Sequence, residues 1–300
     1  MRSPSAEVRD YRGAVRRAVL VTLVVVLTAA TAAAAPPRLS FGYDTKAPLA
    51  IEDHGVAAHQ GNVNAIDLSY VSGGKRLSAY LVEGPQRAHR PGIVLVPGSG
   101  GDRAELVERA IALAKLGAVV LAITPPSTAY PAPQPTTIAQ LLSESKATQI
   151  ADVVAVRRAG DVLRTLPGVG PKLGYLGWSA GAKTGTFVAA SDPRFAALGL
   201  LSAGADKLST FVAAAPKSAR AAVERELGSV DPIRYVAWAK PGSLLLENGT
   251  KDTVVPHAAL ENIVHAAPKH TTVRWYPTGH ALNDAAWADA EHWLLGRLQG

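Results

Sequence analysis

Residues 173–190 read LGYLGWSAGAKTGTFVAA, and they contain the strongest structural signal in the chain. The first part is a short apolar run typical of a buried strand, and the last part has helical periodicity. Between them lies a Gly-x-Ser-x-Gly motif centred on Ser179. A turn this tight between a strand and a helix admits only small residues two positions either side of the serine, and it projects the hydroxyl towards the positive end of the helix. The stretch therefore predicts a strand–turn–helix unit that presents Ser179.

Short apolar runs alternate with helical patterns on both sides of this motif. We predict strands at 92–96, 118–123, 173–177, 196–201, 243–247 and 271–276, and helices at 105–116, 147–166, 181–190, 256–266 and 283–298. Two alternating segments, 65–70 and 76–82, flank Ser72-Gly73-Gly74 and predict an N-terminal β-hairpin. Apolar strands separated by helices indicate an α/β fold, with a mostly parallel central sheet and helices on both faces.

Two later strands are each followed by a group that suits a serine nucleophile. A serine hydroxyl is a poor nucleophile near neutral pH, and it needs a base that an acid orients. Asp252 follows the strand at 243–247, and His280 follows the strand at 271–276. The chain order Ser, Asp, His, with each residue just past its own strand, accompanies the Gly-x-Ser-x-Gly turn in one class of hydrolase. We predict that Ser179 is the nucleophile, His280 the base and Asp252 the acid.

The loop after the strand at 92–96 reads PGSGG (97–101). Acyl transfer needs two backbone N–H groups directed at the oxyanion, one just after the nucleophile and one from this loop. We predict the amides of Ala180 and Ser99 as the donors, with Gly100 as the alternative to Ser99. An ordinary glycine-rich turn is the other interpretation. The loop lacks Gly-x-Gly-x-x-Gly spacing and a P-loop Lys-Ser/Thr, so nucleotide binding is not predicted.

These motifs together resemble those of the α/β-hydrolases, in particular the dienelactone hydrolase-like and small serine-esterase group. The resemblance covers roughly residues 62–298 and rests on PGSGG (97–101), GWSAG (177–181), GTKDTVVP (249–256) and YPTGHAL (276–282). It implies the α/β-hydrolase fold and hydrolysis of a small-molecule ester without a cofactor. Pro97 stands where the family often has histidine. The dienelactone hydrolases use a cysteine nucleophile, which this chain lacks, and serine-type ester hydrolysis is therefore favoured.

Composition excludes several other classes of protein. The chain has 300 residues, 48% of them hydrophobic, and it contains no cysteine, which excludes disulfides and cysteine-based metal sites. The first 35 residues hold five Arg and two acidic residues, so removing them lowers the formal net charge from +7 to +4. That charge is too small to indicate a nucleic-acid partner. No metal site is predicted, because Glu261 and His265 lie one helical turn apart without a third ligand.

The first 35 residues have the pattern of a secretory signal peptide. A basic stretch ends at Arg16-Arg17, an apolar run covers 18–27, and small residues continue to Ala35. We predict export with cleavage within 32–35, so that membrane contact is transient and the mature protein is secreted or extracytoplasmic. An uncleaved membrane anchor is the alternative, although the apolar run is about half of the ~20 residues that a spanning helix needs.

The predicted organisation after the signal peptide is a linker and N-terminal segment at 36–61, followed by a hydrolase domain at 62–300. An insertion at 203–240 with its own helix, 216–227, is a candidate cap over the site.

Alternative functions are a serine peptidase or thioesterase of the same fold, and a non-catalytic binding protein on a hydrolase scaffold. The natural substrate and the oligomeric state are left open.

Other candidate residues receive structural interpretations. Asp192 and Asp231 each precede a proline and are predicted to be turn or cap residues. Trp178 is predicted to pack beside the serine turn, and Tyr130 to lie on the surface. The remaining histidines are predicted not to be catalytic: His54, His59, His89, His257, His265, His270 and His292.

Overall fold

A computed structural model of the protein describes residues 41–299. Its strands form a single nine-stranded sheet in the order β1-β2-β3-β5-β4-β6-β7-β8-β9. The strands are β1 (Glu52–Gln60), β2 (Val63–Ser72), β3 (Lys75–Glu83), β4 (Arg90–Val96), β5 (Val119–Ile123), β6 (Val169–Trp178), β7 (Phe195–Leu201), β8 (Leu244–Gly249) and β9 (Thr272–Tyr276). The six strands from β4 to β9 are mutually parallel, while β1, β2 and β3 are antiparallel additions at one side. The predicted mostly parallel sheet is confirmed.

Helices cover both faces of the sheet, as the sequence predicts. They are α1 (Val107–Lys115), α2 (Pro126–Ala129), α3 (Ile138–Thr165), α4 (Ala180–Ser191), α5 (Leu208–Ala214), α6 (Arg220–Gly228), α7 (Pro232–Val236), α8 (His257–Ala266) and α9 (Asp284–Gln299). Buried side chains of α3, α4, α7 and α8 pack on one face of the sheet, and those of α1 and α9 pack on the other. No helix among residues 41–299 is long and apolar enough to cross a membrane.

The N-terminal strands include one that the sequence pattern did not predict. The expected hairpin is formed by β2 and β3, which pair antiparallel around Gly73 and Gly74. Strand β1 lies within 36–61, the segment interpreted as a linker and N-terminal segment, and all nine of its residues are exposed. A strand without a buried face has no reason to alternate apolar and polar residues, so its sequence carries no strand signal.

Two helical regions differ from their predicted bounds. Helix α3 begins at Ile138, nine residues before the predicted 147, and the Thr137 hydroxyl caps it by accepting from the Gln140 amide at 3.1 Å. Its buried residues are concentrated from Asp152 onwards, where it packs on the sheet. The segment 203–240 holds three helices rather than one: α5, α6 and α7. Asp231 is the predicted cap, since its carboxylate accepts from the Ile233 amide at the start of α7.

The parallel strands place several loops at one edge of the sheet. The carboxyl ends of β4, β6, β8 and β9 lead into the PGSGG loop, the serine turn, the loop with Asp252 and the loop with His280. Because neighbouring parallel strands end at the same edge, these four loops meet there.

Candidate active site

Ser179 lies in a strained turn between β6 and α4. Its backbone has φ 55° and ψ −113°, a region that residues with a Cβ rarely adopt. The Ser179 amide donates to the Leu201 carbonyl at 2.8 Å, and the Gly181 amide donates to the Pro97 carbonyl at 3.1 Å. These two bonds tie the turn to the neighbouring strand and to the PGSGG loop.

Glycine is required on both sides of this serine. A Cβ on Gly181 would lie 2.6 Å from the Pro97 carbonyl oxygen, and one on Gly177 would lie 2.7 Å from the Gly181 carbonyl oxygen. Both distances are far below van der Waals contact. The predicted restriction to small residues at these two positions is confirmed.

Ser179, His280 and Asp252 form one continuous hydrogen-bonded chain. The distance from Ser179 Oγ to His280 Nε2 is 2.9 Å, and that from His280 Nδ1 to Asp252 Oδ2 is 2.7 Å. The Asp252 side chain is 1% exposed and the His280 side chain 12% exposed. A carboxylate on Nδ1 favours the tautomer in which Nε2 is free to accept the serine proton. The structure thus brings the three predicted residues together, and their catalytic roles stay a prediction.

Asp252 is held as a carboxylate by more than the imidazole. Its Oδ1 accepts from the amides of Val254 at 2.8 Å and Val255 at 2.9 Å, while Oδ2 faces His280. Burial alone would raise the pKa of Asp252. The hydrogen bonds from His280 and from the two amides outweigh burial, and the pKa lies below its usual value.

The acid loop and the base loop are joined through their backbones. The Thr250 amide donates to the Tyr276 carbonyl at 2.8 Å, and the Lys251 amide donates to the Thr278 carbonyl at 3.0 Å. Gly249 permits this approach, because a Cβ there would lie 2.5 Å from the Gly279 carbonyl oxygen. The spacing between acid and base is therefore set by the extension of the β8–β9 pairing beyond the sheet.

Two side chains hold the carbonyl oxygen of His280. The indole N–H of Trp178 donates to it at 3.0 Å, and the Ser202 hydroxyl donates to it at 2.9 Å. The predicted packing of Trp178 beside the turn is confirmed, and its ring centre lies 5.2 Å from that of His280. Sequence reasoning missed Ser202. Its one signal is its position directly after β7, at the same sheet edge as the other site residues.

The PGSGG loop leaves the predicted oxyanion donors available. Its Gly98 amide donates to Glu105 Oε2 at 3.0 Å, and its Gly101 amide donates to the Gly98 carbonyl. No hydrogen bond within residues 41–299 engages the amides of Ser99, Gly100 or Ala180. These three residues line one common cavity of about 420 Å³. The arrangement is compatible with either Ser99 or Gly100 as the partner of Ala180, and their roles stay a prediction.

The rival acids lie outside this chain of hydrogen bonds. Asp231 caps α7, and Asp192 forms ion pairs with Arg157 at 3.1 Å and Arg194 at 2.7 Å. Tyr130 is 42% exposed, which confirms its predicted surface position, and its hydroxyl donates to the Arg76 carbonyl. Within the described part of the chain, no group of three or more acidic or histidine side chains is placed to hold a metal ion.

Comparison with known proteins gives the fold. Neither a protein-family model nor a curated protein matches this sequence. Acetyl xylan esterase 1 from Thermoanaerobacterium sp. JW/SL YS485 matches with 15% identity and a TM-score of 0.66, covering 84% of this chain and 89% of that one. A cold-adapted esterase from an Arctic intertidal metagenomic library matches with 18% identity and a TM-score of 0.60, covering 82% and 97%.

A third similar structure is a larger enzyme. Acylaminoacyl peptidase from Pyrococcus horikoshii matches with 14% identity and a TM-score of 0.59, covering 78% of this chain and 40% of that one. Identities this low establish the fold and leave the substrate open. The chain has the α/β-hydrolase fold, as the sequence resemblance implies.

Proposed function

We propose that this protein is an exported serine hydrolase that cleaves carboxylic esters through an acyl-enzyme. The observation that carries the proposal is the hydrogen-bonded chain from Ser179 through His280 to the buried Asp252. A non-catalytic binding protein has no need of a complete chain of this kind. The presence of all three residues, with Ser179 held in a strained turn, favours an enzyme.

Acylation begins when Ser179 Oγ attacks the carbonyl carbon of the ester. His280 Nε2 takes the hydroxyl proton as the new C–O bond forms, and the carbonyl electron pair moves to the oxygen. Asp252 stabilises the resulting imidazolium. The amides of Ala180 and of Ser99 or Gly100 donate to the oxyanion.

Collapse of this intermediate breaks the bond to the alcohol oxygen. His280 gives its proton to the departing alcohol, and the acyl group remains on Ser179. Water then attacks the acyl-enzyme with His280 again acting as base. The carboxylic acid leaves and the serine hydroxyl is restored, so each cycle consumes one water molecule and needs no cofactor.

Ester bonds are the preferred substrates in this proposal. Solved structures with the same fold include esterases, which supports ester cleavage. A similar structure is a peptidase, and the same three residues can act on amides or thioesters. A set of three substrates with one acyl group, as the ester, the thioester and the amide, separates these activities. We expect the ester to be turned over fastest, and a faster amide would favour the peptidase alternative.

The direct test is covalent labelling of the nucleophile. A fluorophosphonate probe should label the wild-type protein at Ser179, and Ser179→Ala should lose both labelling and ester turnover. Ser191→Ala is the matched control, because Ser191 lies at the far end of the same helix and its hydroxyl has no partner within residues 41–299. Full labelling of the Ser179→Ala protein would show that the nucleophile is another residue.

A further inference from the structure

Two cavities lie side by side at the edge of the sheet that holds the triad. One, of about 420 Å³, includes the oxyanion candidates Ser99, Gly100 and Ala180. The second, of about 510 Å³, lies against the residues that follow Asp252. Four residues line both cavities: Leu141, Ser145, Gln149 and Lys183. We call the second cavity the apolar pocket.

The apolar pocket is adjacent to the reacting groups on two sides. Lys183 lies in the first turn of α4, and its amide donates to the Ser179 carbonyl at 3.0 Å. Val254 and Val255 also line the pocket, and their amides are the donors to Asp252 Oδ1. A substrate group that extends from Ser179 past Lys183 therefore enters the pocket.

Large apolar side chains converge on this pocket while remaining accessible. Leu141 is 49% exposed, Phe211 is 44% exposed and Val254 is 67% exposed. Contact between apolar side chains and water is unfavourable, and a bound apolar group would remove that contact. Other apolar lining residues are Leu142, Leu208, Leu227, Val230 and Val255, and the charged ones are Lys183, Asp206 and Asp231.

The charged residues leave the pocket wall mainly apolar. Asp231 is engaged in capping α7. The Lys183 side chain is exposed and can keep its ammonium group in water, although desolvation lowers its pKa against the opposing effect of Asp152. Asp206 is exposed.

Polar contacts beside the pocket join α3 to α6 and the segment after β7 to α8. Lys146 on α3 forms an ion pair with Glu226 on α6 at 3.1 Å. Ala205 is held to α8 twice: its amide donates to the Ala259 carbonyl at 3.1 Å, and its carbonyl accepts from Asn262 Nδ2 at 3.0 Å. A pocket that is formed before binding costs little ordering when a ligand enters.

We propose that the apolar pocket binds one large apolar substituent of the ester, an alkyl chain or aryl group of about six or more carbons. The substrates are then esters with a sizeable apolar group on the acyl or the alcohol side, and a small acetyl ester leaves the pocket empty. This inference rests on the proposed function, because it places the reacting carbonyl at Ser179.

Two ester series test the proposal and identify the side that enters the pocket. One series holds ethanol constant and lengthens the acyl chain from acetate to decanoate. The other holds acetate constant and lengthens the alcohol from ethyl to decyl. We expect kcat/KM to rise about two- to fourfold per methylene in one series, up to about eight carbons. A preference for the shortest member in both series would overturn the proposal.

Variants in the pocket wall test whether these side chains cause the preference. Leu141→Gln and Phe211→Gln should each lower the ratio of kcat/KM for octanoate over acetate (or octyl over ethyl) at least fivefold. Leu116→Gln is the matched control, because Leu116 is a leucine of similar exposure, 41%, at the end of α1 that leads to the opposite sheet edge. An unchanged ratio in both pocket variants would contradict the assignment.

Binding without turnover separates this inference from the proposed function. Ser179→Gly lacks the hydroxyl and suits the positive φ, so it should fold and bind esters without cleaving them. Its affinity, measured by titration calorimetry, should be at least tenfold higher for the octyl member than for the shortest member of the preferred series. Equal affinities would overturn the pocket even if the wild type cleaves esters. Chain-length-dependent binding with no wild-type turnover would support the pocket and contradict the proposed function.

Discussion

The indole N–H of Trp178 donates a 3.0 Å hydrogen bond to the carbonyl oxygen of His280. The residue before the proposed nucleophile therefore holds the backbone of the proposed base, 102 positions later in the chain. Ser202, which directly follows β7, donates to the same oxygen, so the base loop is attached at the ends of two neighbouring strands. The position of the imidazole relative to Ser179 depends on these two bonds as well as on Asp252.

We expect removal of these two hydrogen bonds to affect ester turnover more strongly than the free energy of unfolding. We expect Trp178→Phe to reduce kcat about three- to tenfold, because one of the two hydrogen bonds to the His280 carbonyl is lost. A hydrogen bond of this kind contributes about 1 kcal/mol. Ser202→Ala should act similarly, and the double variant more strongly. Ester turnover and thermal unfolding measure the two effects, with Trp293→Phe on α9 as the control. A double variant with wild-type kcat would show that the bonds do not position the base.

Three Asp-to-Asn variants, compared by their turnover of one ester, test which residue is the acid. Asp252→Asn should lower kcat by about 10⁴, as the equivalent change does in a serine protease, because the amide favours the wrong imidazole tautomer. Asp231→Asn should keep turnover and stability, since asparagine caps a helix about as well as aspartate. Asp192→Asn should lose stability through its pairs with Arg157 and Arg194, while turnover persists. Collapse of turnover in Asp231→Asn alone would reassign the acid.

Buried Glu247 should make stability decrease as the pH rises towards neutral. Burial raises the pKa of this side chain from 4.5 to about 7, against the lowering effect of Arg274 and Tyr276. The folded state thus retains a proton that the unfolded state releases near pH 4.5. Retention of this proton stabilises the folded state by at most about 3 kcal/mol. The contribution is fully present below pH 4.5 and is lost as the pH rises to about 7.

Urea unfolding of wild type and Glu247→Gln across pH 4.5–7.5 measures this contribution. The variant should show a smaller decrease of unfolding free energy with pH. Glu291 is also buried, and burial raises its pKa to about 7. Glu291→Gln should therefore remove a further part of the decrease of unfolding free energy with pH. Parallel pH profiles for wild type and Glu247→Gln would contradict the expectation for that residue.

Ester turnover should be independent of added metal. The proposed triad supplies both the nucleophile and the base, so no step requires a metal-bound water. Dialysis against a chelator should leave kcat and KM unchanged. A loss of activity that zinc or calcium restores would show that a metal takes part.

The mature protein should begin near the alanine-rich end of the proposed signal peptide. Residues 1–35 lie outside those that the structure describes, and the expectation rests on their sequence pattern. Expression in a secreting host followed by intact-mass measurement should give a chain that starts between 33 and 36. Recovery of an exported, membrane-bound protein with Met1 intact would favour the uncleaved anchor.

Sequence reasoning succeeded where one local pattern has one structural solution. Strands β4, β5, β7 and β8 are buried almost throughout, so their apolar runs are unambiguous. Ser179, Asp252 and His280 each follow a predicted strand, so their order along the chain could be recognised from the sequence. Strand β1 was missed because it has no buried face. The role of Ser202 depends on a contact with a residue 78 positions away, which no local pattern encodes. The apolar pocket likewise depends on how α5, α6 and α7 pack, and its lining could not be derived from the sequence.

The backbone of Ser179 places two selective pressures in conflict. A residue with a Cβ in this conformation costs on the order of 1–3 kcal/mol, and glycine would avoid that cost. Mutational screening for heat resistance alone would therefore enrich glycine at position 179, and the survivors would be inactive if Ser179 is the nucleophile. Evolution for turnover retains the less stable residue. Any programme to make this protein more robust must select for stability and activity together.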